Sequence, residues 1–207
     1  MTYFRSIHSL SQSISTRYLS TVATINRSSL PYDRTLLQGF TCITPIDVLW
    51  GSQDAFQHVN NVVYSRWCEQ SRIHTFESFI QFAIHNQLVS NTKQLKQFMS
   101  TRSIGPILKS ITIKYRSPVV YPDTVIMGSA ISSVQFDRMS MQHRIISIQQ
   151  NAIVADANDT IVTYDYINKC KSDMPNDIYN ALQQYIAHNN ESIVPYKPKS
   201  SSADKLL

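Results

Sequence analysis

The densest group of side chains that could do chemistry lies between residues 54 and 69. Its polar members are Asp54, His58, Asn60, Asn61, Tyr64 and Glu69. These residues lead into the longest helical pattern of the chain. A helix start presents unpaired N–H groups and the positive end of the dipole, which can stabilise an oxyanion. Because the Asp54 carboxylate lies just upstream, it could activate water or attack directly, and this favours cleavage of an activated acyl group.

Each of these residues also has a purely structural interpretation. Asp54 could be a loop acid that caps the helix, and His58 could be a buried, hydrogen-bonded histidine. Asn60 and Asn61 are of a type that caps helices and stabilises loops more often than it takes part in chemistry. The pattern alone leaves both interpretations open for Asp54 and His58.

The helical pattern runs from about residue 60 to residue 88 without glycine or proline. One apolar stripe at helical spacing holds Ile73, Phe76, Ile80, Ala83 or Ile84, and Leu88. Val63 and Trp67 lie off this stripe, so the helix is apolar on more than one side and is expected to be wrapped by a sheet. Glu69 and Arg72, three apart, are predicted to form a structural ion pair. The expected core includes Trp67, Phe76 and Phe79.

Outside this helix the hydrophobic period changes to two, which is typical of strands. The predicted strands cover residues 40–49, 111–116, 124–134, 139–149 and 152–166, and a short helix follows at 177–188. The polar stretch SNTKQLKQ is expected to end the long helix. Pro45 suggests that the first strand is an edge or is bent. Strand, long helix and four consecutive strands indicate an α+β domain with an antiparallel sheet and one helix on a single face.

Two segments of the chain resemble a known family. WGSQDAFQHVNNVVYSRWCEQSR, residues 50–72, resembles the signature of hotdog-fold acyl-CoA thioesterases of the 4-hydroxybenzoyl-CoA thioesterase type. It is also similar to the D-x-x-x-H-V-N-N-x-x-Y stretch of plant acyl-ACP and bacterial long-chain acyl-CoA thioesterases. KYRSPVVYPDTV, residues 114–125, is similar to the family's second-strand segment. The resemblance covers roughly residues 40–170 and implies a hotdog fold, an antiparallel five-stranded sheet wrapped around one long helix.

The resemblance also implies roles for particular residues. The family's catalytic carboxylate falls on Asp54, and the main-chain N–H that polarises the thioester carbonyl falls near Asn61. His58 matches a histidine that positions the substrate or water, which completes the predicted catalytic set. Glu69 and Arg72 occupy the positions of a common Glu-x-x-Arg on the helix. The residues assigned to substrate binding are Asn60, Tyr64 and Phe56.

The implied activity is hydrolysis of a fatty or aromatic acyl-CoA to the free acid and CoA, without a metal or other cofactor. The family's site forms between two subunits, which implies a homodimer or homotetramer. Lys109, Lys114, Arg116 and Arg102 could meet the phosphates of coenzyme A or could form a solvated strand face.

The chain departs from the family pattern at two positions. Ser52 stands where some members have a second acid, and Phe56 stands where the plant enzymes have an asparagine. Both departures concern residues that assist the catalytic carboxylate in some relatives, and a mechanism that uses Asp54 alone is unaffected. They also motivate the alternative of a non-catalytic hotdog protein that binds acyl groups or belongs to a mitochondrial complex. A hydratase or dehydratase is disfavoured because those relatives show a different Asp/His spacing.

Charge and composition narrow the class of protein. The 207 residues are 43% hydrophobic and 16% charged, which suits one packed domain. The net charge is +5, but residues 1–31 hold three arginines and no acid, so the remainder is close to neutral. This argues against a nucleic-acid binder, which would concentrate basic residues on its folded domain. The sequence has no run of about twenty apolar residues and predicts no membrane span.

The two ends of the chain have compositions of their own. Residues 1–31 are rich in serine and threonine, carry spaced arginines and lack acids, which is typical of a mitochondrial transit peptide. A disordered N-terminal tail is the alternative. The predicted organisation is a transit peptide at 1–31, a hotdog domain at 38–170, a C-terminal helix at 171–190 and a disordered tail at 191–207, in a protein of the matrix.

The cysteines and the remaining histidines carry no recognisable pattern. Cys42, Cys68 and Cys170 are odd in number, widely spaced and without a CxxC, so neither a disulfide framework nor a zinc site is predicted. Each is expected to be an inert core or surface residue. No partner can be identified from the sequence for His143, which is predicted to be an ordinary residue.

Overall fold

The computed structural model of the protein describes residues 31–100 and 102–191. The architecture below is that of the unit that begins at Asp33. The predicted transit peptide and C-terminal tail lie outside the described residues, apart from residues 31 and 191. Both therefore stay predictions.

Six strands and three helices form the described unit, with short 3₁₀ turns at Arg34–Leu37 and Trp50–Ser52. The strands are β1 Cys42–Asp47, β2 Ile104–Tyr115, β3 Thr124–Gln135, β4 Arg138–Ser147, β5 Ala152–Asp165 and β6 Cys170–Lys171. The helices are α1 Asn61–His85, α2 Thr92–Gln97 and α3 Asn176–Glu191. Every helix in this part of the chain is too short or too polar to cross a bilayer.

All strand pairs are antiparallel, and the sheet order is β1-β3-β4-β5-β2, with the short β6 beside β5. The five long strands curl around α1, which confirms the predicted hotdog architecture. Pro45 lies on β1 at one edge of the sheet, where a residue without an N–H is tolerated. The opposite edge is β2.

The interior of the domain confirms most of the predicted core and corrects part of it. Trp67, Phe76 and Phe79 on α1 are 5%, 2% and 0% exposed. Ile73, placed on the predicted apolar stripe, is 41% exposed. The stripe was misplaced there because α1 is covered both by the sheet and by α3, so its buried surface does not follow a single line.

Two local features were missed by the sequence patterns. The polar stretch after α1 forms the separate helix α2, whose cap Asn91 accepts a hydrogen bond from the N–H of Gln94 at 3.1 Å. β2 begins at Ile104, well before the predicted start at residue 111. Gly105 and Pro106 weaken the strand signal, but Gly105 is required because a Cβ there would lie 2.4 Å from the carbonyl oxygen of Phe98.

A chain of polar side chains crosses the apolar interior. Arg72 of α1 forms an ion pair with Asp159 of β5, and Nε2 of His143 on β4 lies 3.1 Å from the same carboxylate oxygen. Nδ1 of His143 lies 2.6 Å from Oγ of Ser129 on β3, which in turn lies 2.6 Å from Oγ of Ser71 on α1. These residues are all at most 8% exposed. The chain therefore joins the helix to three strands.

This arrangement corrects two predictions. The expected Glu69–Arg72 pair is wrong, because Glu69 is exposed while Arg72 turns into the interior towards Asp159. His143 is not ordinary, because it is 1% exposed and bridges Ser129 and Asp159. In both cases the partner lies on a distant strand, so spacing along the helix could not reveal it.

Replacing Arg72 by alanine is expected to lower the free energy of unfolding by about 3–5 kcal/mol, because it leaves a buried carboxylate without its cation. The other oxygen of Asp159, Oδ1, has no hydrogen-bond partner in the described part of the chain, so the variant would leave only His143 in polar contact with the carboxylate. Urea unfolding followed by circular dichroism measures the effect. Arg66→Ala is the matched control, because Arg66 is an exposed arginine of the same helix and should change the free energy by about 0.5 kcal/mol or less. Equal losses in the two variants would contradict a structural role for the buried pair.

Candidate active site

The loop between β1 and α1 is folded back on itself by main-chain hydrogen bonds. The N–H of Asp54 donates to the carbonyl of His58 at 2.9 Å, and the N–H of Asn60 donates to the carbonyl of Ser52 at 2.9 Å. The left-handed conformation of Gln57, with φ of 63°, allows the turn between them. Asp54 and His58 are thereby held side by side at the end of a narrow loop.

A second loop, between β2 and β3, supports the first. The N–H of Val59 donates to the carbonyl of Val119 at 2.8 Å, and the N–H of Tyr121 donates to Oε1 of Gln53 at 3.1 Å. Val119 is completely buried. Residues 114–125 therefore hold residues 50–72 in place, and these are the two segments that resemble the family.

Asp54 has one carboxylate oxygen held and one available. Its Oδ1 accepts a hydrogen bond from the N–H of Phe56 at 2.8 Å, which is the geometry of an Asx turn. Its Oδ2 has no hydrogen-bond partner among residues 31–100 and 102–191. The side chain is half-buried and lines a cavity of about 280 Å³. A carboxylate fixed in this way can accept a proton from water or attack an electrophilic carbon.

The first turn of α1 forms the opposite side of this cavity. Asn60 is the N-cap, and its Oδ1 accepts a hydrogen bond from the N–H of Val62 at 3.1 Å. The N–H of Asn61 has no acceptor in the described part of the chain, and Asn61 lines the cavity together with Asp54. A free N–H at a helix start is suited to stabilise negative charge that develops on a substrate oxygen.

Two tyrosines close the inner end of the cavity. The hydroxyl of Tyr115 donates to the carbonyl of Asn61 at 3.2 Å, and its ring meets that of Tyr64 edge to face at a centroid distance of 5.1 Å. Tyr64 is 2% exposed, and burial raises the pKa of its hydroxyl to about 12. Burial also raises the pKa of Tyr115. Because both phenols keep their protons at neutral pH, they act as walls and hydrogen-bond donors rather than as bases.

The structure brings together four of the six residues predicted for the site. Asp54, His58, Asn61 and Tyr64 all line the 280 Å³ cavity. Asn60 caps the helix beside them, and the side chain of Phe56 is 78% exposed and does not line the cavity. The assignments of catalytic and binding roles stay predictions.

The sequence patterns missed the contribution of the second loop. The additional residues that line the cavity are Val59, Tyr115, Arg116, Ser117 and Pro118. Residues 114–125 resemble the family, but no site residue was predicted among them; Lys114 and Arg116 were left open between contact with the phosphates of coenzyme A and a solvated strand face. The position of this segment next to Asp54 depends on the pairing of distant strands, which spacing along the chain does not show.

Asp54 also borders a second, larger space of about 700 Å³ on its other side. Trp50, Val120 and Tyr121 line it and are 74%, 36% and 47% exposed. Asp54 therefore lies between the cavity at the helix start and the larger one against Trp50.

Two other kinds of chemistry find little support near this site. Cys68 is one turn beyond Tyr64, and burial, reinforced by the Asp159 carboxylate, raises the pKa of its thiol to about 12. It is therefore a neutral core residue at physiological pH and not a thiolate nucleophile. Among residues 31–100 and 102–191 there is also no group of three or more His, Cys, Asp or Glu side chains arranged to hold a metal ion.

Comparison with known proteins gives one consistent family. A sequence model described as the thioesterase-like superfamily matches residues 48–182. The long-chain acyl-CoA thioesterase FadM of Escherichia coli strain K12 is 24% identical over 144 residues, which are 69% of this chain and 98% of that protein.

Solved structures of thioesterases share the fold. The DHNA-CoA thioesterase of Staphylococcus aureus aligns with a TM-score of 0.59 at 16% identity, over 74% of this chain and 96% of that one. YbaW, a probable thioesterase from Escherichia coli, aligns with a TM-score of 0.54 at 23% identity, over 70% and 99% of the two chains. At such identities the likeness establishes the fold, a curled sheet around a helix, and not the substrate.

Proposed function

The chain belongs to the thioesterase-like superfamily, and from that premise we propose that it hydrolyses acyl-CoA thioesters with Asp54 as the catalytic carboxylate. The expected enzyme class, a thioester hydrolase, is confirmed at the level of the family. The observation that carries the finer proposal is the cavity shared by the Asp54 carboxylate and the free N–H of Asn61.

In the proposed reaction, the N–H of Asn61 donates to the thioester carbonyl oxygen and stabilises the negative charge that develops there. Asp54 either takes a proton from the attacking water or attacks the carbonyl carbon and forms an anhydride that water then opens. The carbon–sulfur bond breaks, and the sulfur takes up a proton to leave as the thiol of CoA. His58, which is exposed on the same cavity, positions the substrate or the water.

Replacing Asp54 by asparagine is expected to lower kcat by about 10²–10⁴-fold, because the amide keeps the size of the carboxylate but cannot accept the proton. Thiol release from a chain-length series of acyl-CoAs measures this loss. Asp173→Asn is the matched control, because Asp173 is an exposed aspartate outside the cavity. Full activity of Asp54→Asn would refute its assignment. If the wild-type protein turned over no acyl-CoA and co-purified in a large complex, the non-catalytic alternative would be favoured.

The proposal includes a homodimer formed along β2. Among the described strands, this strand of twelve residues pairs only with β5, so its other side presents main-chain groups that no described strand pairs. Ile107, Leu108 and Tyr115 on this strand are 37%, 39% and 43% exposed. A long apolar edge is a template for a further strand, and a second copy of the chain would satisfy it. The cavity that contains Asp54 lies at the end of the same strand, so the partner would border it.

Replacing Leu108 by glutamate is expected to convert a dimer into a monomer, because it brings a charge into the apolar centre of the paired edge. Size-exclusion chromatography with light scattering measures the mass of each form. Ile167→Glu is the control, because Ile167 is 68% exposed in the turn after β5 and its variant should stay dimeric. A monomeric wild-type protein, or a Leu108→Glu variant that still dimerises, would refute this arrangement.

The proposal also assigns the protein to the mitochondrial matrix, because residues 1–31 are acid-free and carry spaced arginines. Residues 1–31 fused to a fluorescent protein are expected to direct it to mitochondria in a eukaryotic cell. The same fusion with Arg5, Arg17 and Arg27 replaced by glutamine should remain outside. Diffuse cytosolic fluorescence of the unmodified fusion would refute the assignment.

A further inference from the structure

A recess of about 470 Å³ lies beside α2 and shares no lining residue with the Asp54 cavity. Among the described residues, every side chain that lines it carries a positive charge, a hydroxyl group or an amide, and none is acidic or apolar. The lining residues are Thr92, Lys93, Lys96, Gln97, Ser100 and Arg102. A concave surface that offers hydrogen-bond donors and no carboxylate is suited to bind an anion.

The sequence around this recess contains no acid. Between Glu77 and Asp123 the chain carries six lysines and arginines and neither an aspartate nor a glutamate. The positive charges of the recess are therefore not offset by neighbours along the chain.

The three cations of the recess also have no acidic partner in space. Within residues 31–100 and 102–191, no carboxylate forms an ion pair with Lys93, Lys96 or Arg102. By contrast, the guanidinium of Arg138 in the sheet lies 2.8 Å from the carboxylate of Asp137. Because uncompensated charges of one sign line a single concave surface, they raise its potential and attract ions of the opposite sign.

The base of the recess is well anchored. Leu95 and Phe98 of α2 are 0% and 1% exposed, so the helix is fixed in the core beneath its charged face. Oγ of Ser100 donates to the carbonyl of Gln97 at 2.9 Å and accepts a hydrogen bond from the N–H of Arg102 at 3.3 Å. The main chain that carries Arg102 is thus tied to the end of α2, and the three cations belong to one structural unit.

The arrangement of the cations indicates the charge of the ligand. Lys93 and Lys96 are three residues apart on α2, so their side chains lie on one face of the helix, where like charges repel each other. An anion bound between them would remove this repulsion. The guanidinium of Arg102 adds a planar group that can donate two parallel hydrogen bonds to a phosphate. Two ammonium groups and one guanidinium therefore suit a ligand with at least two negative charges.

We propose that this recess binds a phosphate-bearing ligand other than the substrate, through contacts of Lys93, Lys96 and Arg102 with a diphosphate or phosphomonoester group. Because no apolar or aromatic side chain lines the recess, the phosphate groups and not the organic part of the ligand would be recognised. A bound ligand would join α2 to the segment that leads into β2. The proposal does not depend on the proposed hydrolase function, since the two cavities have separate linings.

The experiment is a calorimetric titration of the full chain with sodium pyrophosphate at low ionic strength. Lys96→Gln and Arg102→Gln are each expected to weaken binding about three- to tenfold, because each removes one charge-assisted contact. Lys169→Gln is the matched control, because Lys169 is an exposed lysine in the turn between β5 and β6 and does not line the recess. ADP should bind about as tightly as pyrophosphate, because only the phosphates are contacted.

Sedimentation with lipid vesicles distinguishes a soluble ligand from a lipid headgroup. The vesicles consist of phosphatidylcholine with or without phosphatidic acid, which supplies a phosphomonoester. Binding of soluble pyrophosphate that depends on Lys96 and Arg102 would identify a soluble ligand. Sedimentation only with phosphatidic acid, lost in the same two variants and without pyrophosphate binding, would identify a headgroup, and either result supports phosphate recognition in the recess.

Four outcomes would overturn the proposal. They are binding of neither pyrophosphate nor phosphatidic acid, binding that Lys169→Gln weakens as much as the recess variants do, binding of ADP far more tightly than pyrophosphate, and a raised KM for acyl-CoA in Lys96→Gln or Arg102→Gln. The last outcome would make the recess part of substrate binding and would leave the hydrolase function intact. Because the exchanged side chains are exposed, the variants are expected to fold, and circular dichroism checks this.

Discussion

The candidate site depends on one main-chain hydrogen bond, from the N–H of Val59 to the carbonyl of Val119 at 2.8 Å. It joins the loop that carries Asp54 to the loop that follows β2. The hydrogen bond from the N–H of Tyr121 to Oε1 of Gln53, at 3.1 Å, reinforces this link. With it, Asp54, the first turn of α1 and the end of β2 form a single rigid corner, and a geometry of that kind is required for pre-organised stabilisation of charge.

The orientation of α1 is the second constraint, and it has a different physical origin. A helix buried on several sides has no single apolar stripe that would fix its rotation about its own axis. Arg72 fixes the rotation of the helix, because its guanidinium can reach Asp159 in only one rotation. In that rotation Tyr64, two turns earlier, meets Tyr115. The polar chain in the interior therefore also determines which residues of the first turn face the cavity.

The sequence predicts the elements and the local chemistry of the site, because both depend on short-range patterns. The types and positions of the residues alone indicate a helix cap at Asn60 or Asn61 and an edge or a bend at Pro45. Long-range partners are not predictable in this way. Asp159 is 87 residues from Arg72, and Tyr115 is 54 residues from Asn61, so only strand pairing brings them together. β2 was predicted too short because a glycine in a sequence is also a sign that a strand ends. Gly105 lies inside the strand, and it is required there by the close contact with the carbonyl oxygen of Phe98.

The end of β2 presents different side chains to the two faces of the sheet, because side chains alternate along a strand. Tyr115 points to the inner face and contacts the helix start, where the acyl group would react. Its immediate neighbours Lys114 and Arg116 line a cavity on the outer face of the sheet, and Arg116 also lines the cavity of Asp54. Three consecutive residues of one strand can thus place an aromatic wall against the helix start on one face and positive charge on the other.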